Sequence, residues 1–371
     1  MHVVLVISSL NAGGAERVLS ELANVWVSNG CQISLVTFSA TTSNPFYPLD
    51  PKIFLVQLDK TRVGFSFLMR LKNIFVRIVS LRRAIQKLNS DVVLSFADVT
   101  NITTLIATIG LKTPVLVSER THPAYHQLPK FYQKLRQIFY PIAASVIVQT
   151  NSAAAYFNAN RFKNIKIISN AVLRPTQSRA ANTSSSVVRN IVSVGRLHSV
   201  KNFGTLIQAF SQLLKAYPYL TLTIYGEGVE RLNLERLINS LALQDIVYLP
   251  GAIQNIQEAL INADLFIFPS QYEGFPNALC EAMAVGLPVI ASDCSGNIDI
   301  VRDGIDGRLF PVGDMQTLTK ITLELLEDGL QRQRLAEHAK EICDRFEPDR
   351  IFKLWDQVVT DAACQHSETL K

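Results

Sequence analysis

The sequence predicts an α/β protein made of two successive parallel-sheet domains. Short apolar runs rich in β-branched residues alternate with segments of helical spacing, and the alternation restarts after a polar, Ser-rich stretch at 176–190. The charge divides the chain in the same region: residues 1–172 hold 18 Lys and Arg against 7 Asp and Glu, and residues 173–371 hold 18 against 24. We therefore expect four segments: a first domain at 1–172, a linker at 173–189, a second domain at 190–344, and a C-terminal helix at 345–371 that could pack on the first domain.

Each domain has its own series of apolar runs. In the first half, six runs are predicted as buried parallel strands: His2–Ser8, Gln32–Phe38, Val92–Phe96, Pro114–Ser118, Ser145–Gln149 and Ile165–Ile168. Helical spacing at Ala15–Asn29 and Pro129–Ile142 predicts two of the connecting helices. In the second half, strands are predicted at 191–195, 220–226, 246–251, 264–270 and 288–292. Ligands of such sheets bind beside the carboxyl ends of the strands, so residues that directly follow a strand are candidates for a site.

Composition argues against several classes of protein. The five cysteines are scattered and form no Cys-x-x-Cys pair, which indicates a reducing cytoplasm and argues against disulfides or a structural zinc. No uncharged apolar run is long enough to span a bilayer, and the apolar start lacks the basic leader of a signal peptide. No nucleic-acid recognition module accompanies the basic segments, so we expect no nucleic-acid partner.

Two glutamates stand eight positions apart in the stretch SQYEGFPNALCEAMAVGLPVIAS, residues 270–292. Glu273 follows a predicted strand, Pro276 suits the first turn of the next helix, and Glu281 lies one to two turns inside that helix. A carboxylate can accept two hydrogen bonds from a vicinal diol, so the pair could hold the two sugars of one ligand. The alternative is a polar loop residue and a solvated helical residue.

Two cations follow the first strand of the second domain. In VGRLHSVKN, residues 194–202, Gly195 ends the strand, and Arg196 and Lys201 precede the next helix. An Arg fork and a Lys point charge beside a helix N-terminus can neutralise a diphosphate. Taken alone, the pair could equally be two surface cations near a turn.

A pair of glycines follows the first strand of the chain. Gly13 and Gly14, in SLNAGGAER at 9–17, would let the backbone approach a phosphate or a sugar closely, with a helix from Ala15 aimed at it. The stretch does not match G-x-G-x-x-G, so it only weakly indicates a dinucleotide site, and an ordinary tight turn fits equally well.

Taken together, these motifs resemble the signature of retaining glycosyltransferases of family 4, also called group 1, which have the GT-B fold. The resemblance extends over the chain and is most specific in the second half, where further matching pieces are YGEG at 225–228, LPG at 249–251, SG at 295–296 and DGIDGRLFPVGD at 303–314. It implies two Rossmann-like domains that face each other across a cleft. It also implies a hexosyltransferase without metal or cofactor, whose donor is a nucleotide sugar, with UDP as the expected nucleotide.

The resemblance implies roles for individual residues. Arg196 and Lys201 would bind the diphosphate, Glu281 the ribose, and Glu273 would lie next to the sugar and phosphate. Together with His122, the residues Arg196, Lys201 and Glu273 form the expected catalytic set. Further donor-binding residues, comprising the Gly-Gly loop, the base side and the turn that would hold the sugar hydroxyls, are Gly13, Gly14, Gly226, Glu227, Gly274, Phe275, Pro276 and Asn277.

The chain departs from the family pattern at two places. The usual Pro-Asn-Gly-Val-Asp strand end is replaced by SNAVL at Ser169–Leu173, which removes an acidic residue near the linker. The position that often carries a His near the reacting sugar falls in SERTHP, where either Arg120 or His122 could occupy it. Both are expected to bind the acceptor together with Glu16 and Arg17, and His122 could instead be a solvated loop residue.

A basic amphipathic segment indicates a membrane surface. Lys60–Lys87 contains eight basic residues and no acidic one. Its apolar residues recur with helical spacing at Phe65, Phe67, Leu68, Leu71, Ile74, Phe75, Ile78 and Leu81. Such a helix can lie on an anionic membrane, where each basic residue near the surface adds about 1 kcal/mol. A core helix with a solvated basic face is the alternative. We expect a cytoplasmic enzyme, peripheral on the inner face of the cytoplasmic membrane.

The predicted function is transfer of a hexose or N-acetylhexosamine to a glycan or a polyprenyl-diphosphate-linked oligosaccharide, in the synthesis of cell-surface polysaccharide or glycoconjugate. The GGAERV start and the SER loop resemble family members with such acceptors. A sugar-nucleotide epimerase or a phosphorylase of the same fold is one alternative, although no pyridoxal-lysine context is present. An inactive glycan-binding partner subunit is another. The donor base, the sugar, the acceptor, the linkage and the oligomeric state stay open.

Overall fold

The computed structural model describes residues 1–11, 13–40, 44–59, 67–126, 128–160, 162–177, 187–253 and 255–369. Within these residues the chain forms two compact units. The first is Met1–Asn170 together with the C-terminal segment from Asp349, and the second is Ala171–Pro348. Most of the expected linker, at 178–186, lies outside the described residues.

The first unit is built on a seven-stranded sheet in which every strand pair is parallel. Its strands are β1 (His2–Ile7), β2 (Gln32–Thr37), β3 (Phe54–Gln57), β4 (Val92–Phe96), β5 (Val115–Ser118), β6 (Ser145–Val148) and β7 (Ile165–Ile167). They lie in the order β3-β2-β1-β4-β5-β6-β7. The central strands are continuous apolar runs because helices cover both faces of a parallel sheet, and all residues of β4 are buried.

The described residues of this unit form six α-helices: α1 (Gly14–Ser28), α2 (Phe67–Leu88), α3 (Asp98–Ala107), α4 (Lys130–Phe139), α5 (Asn151–Ala159) and the C-terminal α13 (Pro348–Thr369). A short 3-10 turn, Tyr140–Ile142, continues α4. The Thr150 hydroxyl caps α5 by accepting the Ala153 N–H at 3.3 Å. Trp355 of α13 is 1 % exposed and stacks on Phe96 of β4, with ring centroids 5.9 Å apart, so the C-terminal helix contributes to the core of this unit.

The second unit contains a six-stranded parallel sheet. Its strands are β8 (Asn190–Val194), β9 (Thr221–Tyr225), β10 (Val247–Gly251), β11 (Leu265–Phe268), β12 (Val289–Ser292) and β13 (Arg308–Phe310), in the order β10-β9-β8-β11-β12-β13. Its α-helices are α6 (Phe203–Leu213), α7 (Arg231–Ser240), α8 (Ile256–Ile261), α9 (Asn277–Ala284), α10 (Met315–Glu327), α11 (Gly329–Ala339) and α12 (Ile342–Arg345). The Asp314 carboxylate caps α10 by accepting the Thr317 N–H at 3.0 Å.

Each sheet has one point where the strand order reverses. In the first sheet it lies between β1 and β4, and in the second between β8 and β11. Loops that leave two such strands diverge at their carboxyl ends, which leaves a crevice where ligands of open α/β sheets bind. Arg196 and Lys201 follow β8, and Glu273 follows β11.

The predicted α/β class with two parallel sheets is confirmed, but β3 and β13 were missed. Both are edge strands, and edge strands need no continuous apolar run. Phe54 of β3 is 60 % exposed, and β13 is only three residues long. In the described part of the chain, no helix is both long and apolar enough to cross a bilayer.

Candidate functional site

An ion pair joins the two strands that flank the reversal point of the second sheet. Lys201 Nζ lies 2.5 Å from Glu273 Oε1, and the two side chains are only 17 % and 13 % exposed. Lys201 Nζ also lies 4.7 Å from the centroid of the Phe268 ring, at the end of β11. Partial burial strengthens both the pair and the cation–π contact compared with an exposed surface. Two residues 72 positions apart are thereby fixed at the crevice.

The local backbone explains why Lys201 points there. Ser199–Lys201 forms a 3-10 turn, in which the His198 ring accepts the Val200 N–H at 3.4 Å. Asn202 then takes a left-handed conformation with φ 52°, which Asn adopts more readily than most residues, and α6 begins directly after it. Arg196 lies in the same loop with an exposed side chain. Both predicted cations are therefore near the N-terminus of α6 and the end of β8.

Two glycines of the YGEG motif allow the loops after β8 and β9 to touch. A Cβ on Gly226, which has φ +146°, would lie 1.8 Å from the Gly195 carbonyl oxygen. A Cβ on Gly228 would lie 2.2 Å from the Leu197 carbonyl oxygen. The glycines are needed because backbone packs directly on backbone there.

Glu227, expected to line the base, is held by a neighbouring helix residue. Its carboxylate accepts hydrogen bonds from Arg231, one of them from Nε at 2.9 Å. These bonds hold the pKa of Glu227 below its usual value. The carboxylate is therefore already engaged by Arg231 at the start of α7.

The turn before α9 differs in detail from the prediction. Pro276 precedes the helix instead of occupying its first turn, because α9 begins at Asn277. Phe275 is 7 % exposed and packs edge-to-face on Phe346, at 5.3 Å between centroids. The Asn277 N–H donates to the Phe275 carbonyl at 3.0 Å, and Pro276 has no N–H. Of the four residues expected to hold sugar hydroxyls, Gly274 and Phe275 are thus the ones whose amides this turn can offer.

Glu281 and the SG motif lie next to this turn and to Glu273. Glu281 lies on α9 with a half-buried side chain. Ser295 and Gly296 follow β12 and cover Glu273: the Ser295 hydroxyl lies 3.4 Å from the Glu273 carbonyl oxygen, and a Cβ on Gly296 would lie 2.7 Å from the Glu273 Cβ. The SG motif is therefore explained by close packing on Glu273.

The predicted acceptor residues belong to the first unit, where Arg120 and Glu16 approach the carboxyl edge of the sheet. Arg120 Nη2 donates to the Asn170 amide oxygen, and its Cζ lies 5.1 Å from the centroid of the Phe96 ring. The Glu16 carboxylate folds back over Gly13: a Cβ on Gly13 would lie only 2.2 Å from Glu16 Oε2. Burial lowers the pKa of Arg120, and the charge of Glu16 opposes this shift.

Other predicted residues of this unit have local partners. His122 is 5 % exposed, which differs from a solvated loop histidine, and its ring packs on Tyr125 at 4.9 Å between centroids. Arg17 pairs with Glu21 one turn further along α1, at 2.9 Å. Gly14 is the first residue of α1 and is exposed.

A buried polar network that the sequence did not reveal lies beside Arg120. Glu119 is 2 % exposed and accepts the Tyr140 hydroxyl, while Asn101 donates to the Tyr140 oxygen at 3.2 Å and to the Ser118 carbonyl at 3.0 Å. Burial, together with the charge of Asp98, raises the pKa of Glu119 to about 7. A lone glutamate after a strand gives no signal of such a network, because its partners come from α3 and the end of α4.

Changing Glu119 to Gln should remove a pH dependence of stability. A carboxyl whose pKa rises from 4.5 in the unfolded chain to about 7 in the folded one stabilises the fold fully below pH 4.5 and loses that contribution as pH rises through 7. Gln keeps an acceptor for Tyr140 but does not ionise. We expect the stability of Glu119→Gln relative to wild type to rise between pH 5 and pH 8 by up to about 3 kcal/mol, measured by denaturant unfolding at both pH values. Glu337→Gln, which removes an exposed carboxylate, is the control, and a difference that does not change with pH would contradict the assignment.

Two family models match the chain. "Glycosyltransferase Family 4" matches residues 12–172, and "Glycosyl transferases group 1" matches residues 176–342. The GalNAc-alpha-(1->4)-GalNAc-alpha-(1->3)-diNAcBac-PP-undecaprenol alpha-1,4-N-acetyl-D-galactosaminyltransferase of Campylobacter jejuni is 30 % identical over 97 % of this chain and 99 % of its own length.

Two solved structures show the same fold. Sucrose-phosphate synthase from Thermosynechococcus elongatus superposes with a TM-score of 0.85 at 18 % identity, covering 97 % of this chain and 98 % of that one. HepE of Anabaena in complex with UDP superposes with a TM-score of 0.75 at 20 % identity, covering 100 % and 99 %. With its two parallel sheets and the Lys201–Glu273 pair at the reversal point of the second, this chain belongs to the group 1, family 4 glycosyltransferases of the GT-B fold.

Proposed function

We propose that the chain transfers a hexose or N-acetylhexosamine, with retention of configuration, from a UDP-sugar to a glycan or a polyprenyl-diphosphate-linked oligosaccharide. The observation that carries this proposal is the Lys201–Glu273 pair at the reversal point of the second sheet, with Arg196 in the same loop. The Campylobacter relative supports the acceptor class, because its name describes a PP-undecaprenol-linked substrate. The UDP-bound HepE structure supports the nucleotide.

The proposed step places positive charge where negative charge develops. The bond between the anomeric carbon and the diphosphate oxygen breaks, a bond from the anomeric carbon to an acceptor hydroxyl oxygen forms on the same face, and the hydroxyl proton passes to the leaving phosphate. Lys201 and Arg196 stabilise that phosphate electrostatically, without a metal ion. Glu273 orients the Lys201 ammonium and lies beside the sugar, and Glu281 accepts the ribose hydroxyls.

A panel of nucleotide sugars tests the proposal. The purified protein is incubated with UDP-, GDP- and ADP-sugars, with and without lipid-diphosphate acceptors and with and without EDTA. We expect nucleoside diphosphate release that needs the acceptor and survives EDTA. An epimerase would alter the donor without acceptor, and a glycan-binding subunit would alter neither substrate; either result would overturn the proposal.

We further propose that the enzyme is cytoplasmic and attaches to the anionic inner face of the membrane through α2. One side of α2 is in the core, with Leu81 and Ile85 0 % and 2 % exposed. Met69 and Phe75 of the same helix are 52 % and 67 % exposed. Three basic residues, Lys72, Arg83 and Lys87, are exposed on the same helix. Exposed apolar and basic side chains on one helix fit an anionic lipid surface. Residues 60–66 of the predicted helix lie outside the described residues.

Replacing Lys72, Arg83 and Lys87 together by Gln should abolish binding to anionic vesicles in a flotation assay. Wild-type binding should fall as salt rises, because screening shortens the electrostatic range to about 8 Å near 0.15 M. Arg82 is left in place because it donates to the Ala107 and Ile109 carbonyls at 2.8 and 2.7 Å and holds the end of α3. Transfer to a short soluble acceptor should be unchanged.

A matched control for this variant removes the same charge elsewhere on the first unit. Lys112, Lys163 and Lys166 are exposed and lie outside α2, so their replacement by Gln should leave flotation intact. Equal loss in both triple variants would show a non-specific charge effect, and wild-type protein that ignores anionic vesicles at low salt would end the membrane proposal.

A further inference from the structure

Arg120 is a half-buried cation whose hydrogen-bond partners are neutral. Its Nε is buried and has no hydrogen-bond partner among the described residues. Its Nη2 donates to the Asn170 amide oxygen, and its Nη1 lies 3.5 Å from the Ser118 hydroxyl. Across the described ranges, no carboxylate lies within 4.0 Å of the guanidinium. The charge of Glu16 acts on Arg120 only from beyond that distance. A cation with a buried, unpartnered N–H is normally paired with an anion, which leaves this guanidinium able to accept one.

An aromatic stack fixes the position of the guanidinium. Phe96 is fully buried at the end of β4 and contacts Arg120 Cζ at 5.1 Å from its ring centroid. The same ring stacks on Trp355 of α13 at 5.9 Å, with the planes 19° apart. The C-terminal helix thereby supports a residue of the β5 loop through a single intervening ring. A guanidinium stacked on an aromatic face loses little freedom when it binds, which suits a specific anion site.

Building on the proposed function, we infer that Arg120 binds a phosphate oxygen of one of the two substrates and that Trp355 is a positioning residue acting through Phe96. Arg presents a planar fork that matches two phosphate oxygens, and its Nη1 is held only weakly, at 3.5 Å from the Ser118 hydroxyl. His122 does not share this role: its ring is packed on Tyr125, and its Nδ1 accepts the Ala124 N–H at 3.3 Å. The phosphate can come from the nucleotide donor or from a diphosphate-linked acceptor.

Binding measurements on the full chain separate the two sources. Calorimetry with UDP and, separately, with geranyl diphosphate is carried out on wild type and on Arg120→Gln. We expect the Kd of at least one ligand to rise about 10- to 100-fold, as for loss of a charge-assisted contact. A rise for UDP assigns the donor phosphate, and a rise for geranyl diphosphate assigns the acceptor phosphate. Arg120→Lys keeps the charge without the planar fork, and its Kd should lie between those of wild type and Arg120→Gln.

The control is a buried arginine whose partners are backbone carbonyls. Arg332 is 4 % exposed, and its Nη1 donates to the Leu325 and Leu326 carbonyls. Arg332→Gln should lower stability but leave both dissociation constants within twofold of wild type. Unchanged dissociation constants in folded Arg120→Gln and Arg120→Lys would overturn the inference about Arg120. They would not contradict the proposed transfer function. Wild type that binds neither ligand would instead contradict the proposed function.

The role of Trp355 is tested by its coupling to Arg120. Trp355→Leu should raise the same Kd as Arg120→Gln, and Trp355→Phe, which restores a ring, should recover most of the affinity. In the Arg120→Gln background, Trp355→Leu should add no further change, because the group that it positions is already gone. Additive effects of the two substitutions would show that Trp355 contributes to the fold alone and would overturn its positioning role.

Discussion

Replacing Lys201 by Ala is expected to lower kcat by on the order of 100-fold or more at saturating donor. The ammonium is held by Glu273 at 2.5 Å and by the Phe268 ring. Under the proposed function it is therefore preorganised for charge that develops on the leaving phosphate. A charged hydrogen-bond donor that is oriented before the reaction stabilises the transition state without having to reorganise during the reaction. Arg196→Ala should have a comparable effect, since it removes the second cation of the same loop. Initial rates of nucleoside diphosphate release give the measurement.

Loss of Lys201 also leaves Glu273 partly buried without its ion-pair partner, and a second variant separates the two effects. In Lys201→Ala combined with Glu273→Gln the unpaired charge is absent, so stability should recover relative to Lys201→Ala while turnover stays low. Lys215→Ala, at an exposed position just after α6, is the control. Near wild-type turnover in both Lys201→Ala and Arg196→Ala would remove the diphosphate assignment, and rescue by magnesium would reveal metal dependence.

Replacing Glu281 by Ala is expected to weaken donor binding by about 1–3 kcal/mol, a rise in Kd of roughly 5- to 150-fold. The carboxylate lies on α9, after the turn that carries Gly274 and Phe275. Under the proposed function its removal leaves the ribose hydroxyls without their acceptor. Calorimetry with the correct donor gives Kd, and UDP alone should show the same loss because the ribose belongs to UDP.

The controls for Glu281 distinguish a lost acceptor from lost charge. Glu281→Gln keeps one acceptor oxygen and should fall between wild type and Glu281→Ala. Glu337→Ala removes an exposed carboxylate from α11 of the same unit and should leave Kd unchanged. An unchanged Kd in folded Glu281→Ala would take the residue out of the ribose role.

The sequence predicted the fold class because strands buried on both faces of a parallel sheet are continuous apolar runs, and such runs can be recognised in the sequence alone. It missed β3 and β13, which are edge strands and need no continuous apolar run. It also placed Pro276 inside the first turn of α9, whereas the residue directly precedes the helix, since the pattern of a helix start is the same for both positions.

Candidate site residues could be singled out where a motif marks a strand end, but their partners could not. Lys201 and Glu273 were both singled out, but their ion pair depends on β8 and β11 being neighbours, which strand order decides. Arg120 and His122 are two positions apart, and only the direction of each side chain separates them. Trp355 carried no signal because its contact with Phe96 joins the C-terminal helix to a strand far earlier in the chain.

The central claim is sugar transfer with retention, and the configuration of the product tests it most directly. Wild-type protein is incubated with a UDP-N-acetylhexosamine and a diphosphate-linked acceptor, and the purified product is examined by mass spectrometry and by proton NMR. We predict that the acceptor gains one sugar and that the new anomeric proton has the configuration of the donor. A product with the opposite configuration would contradict retention, and a changed donor with unchanged acceptor would contradict transfer itself.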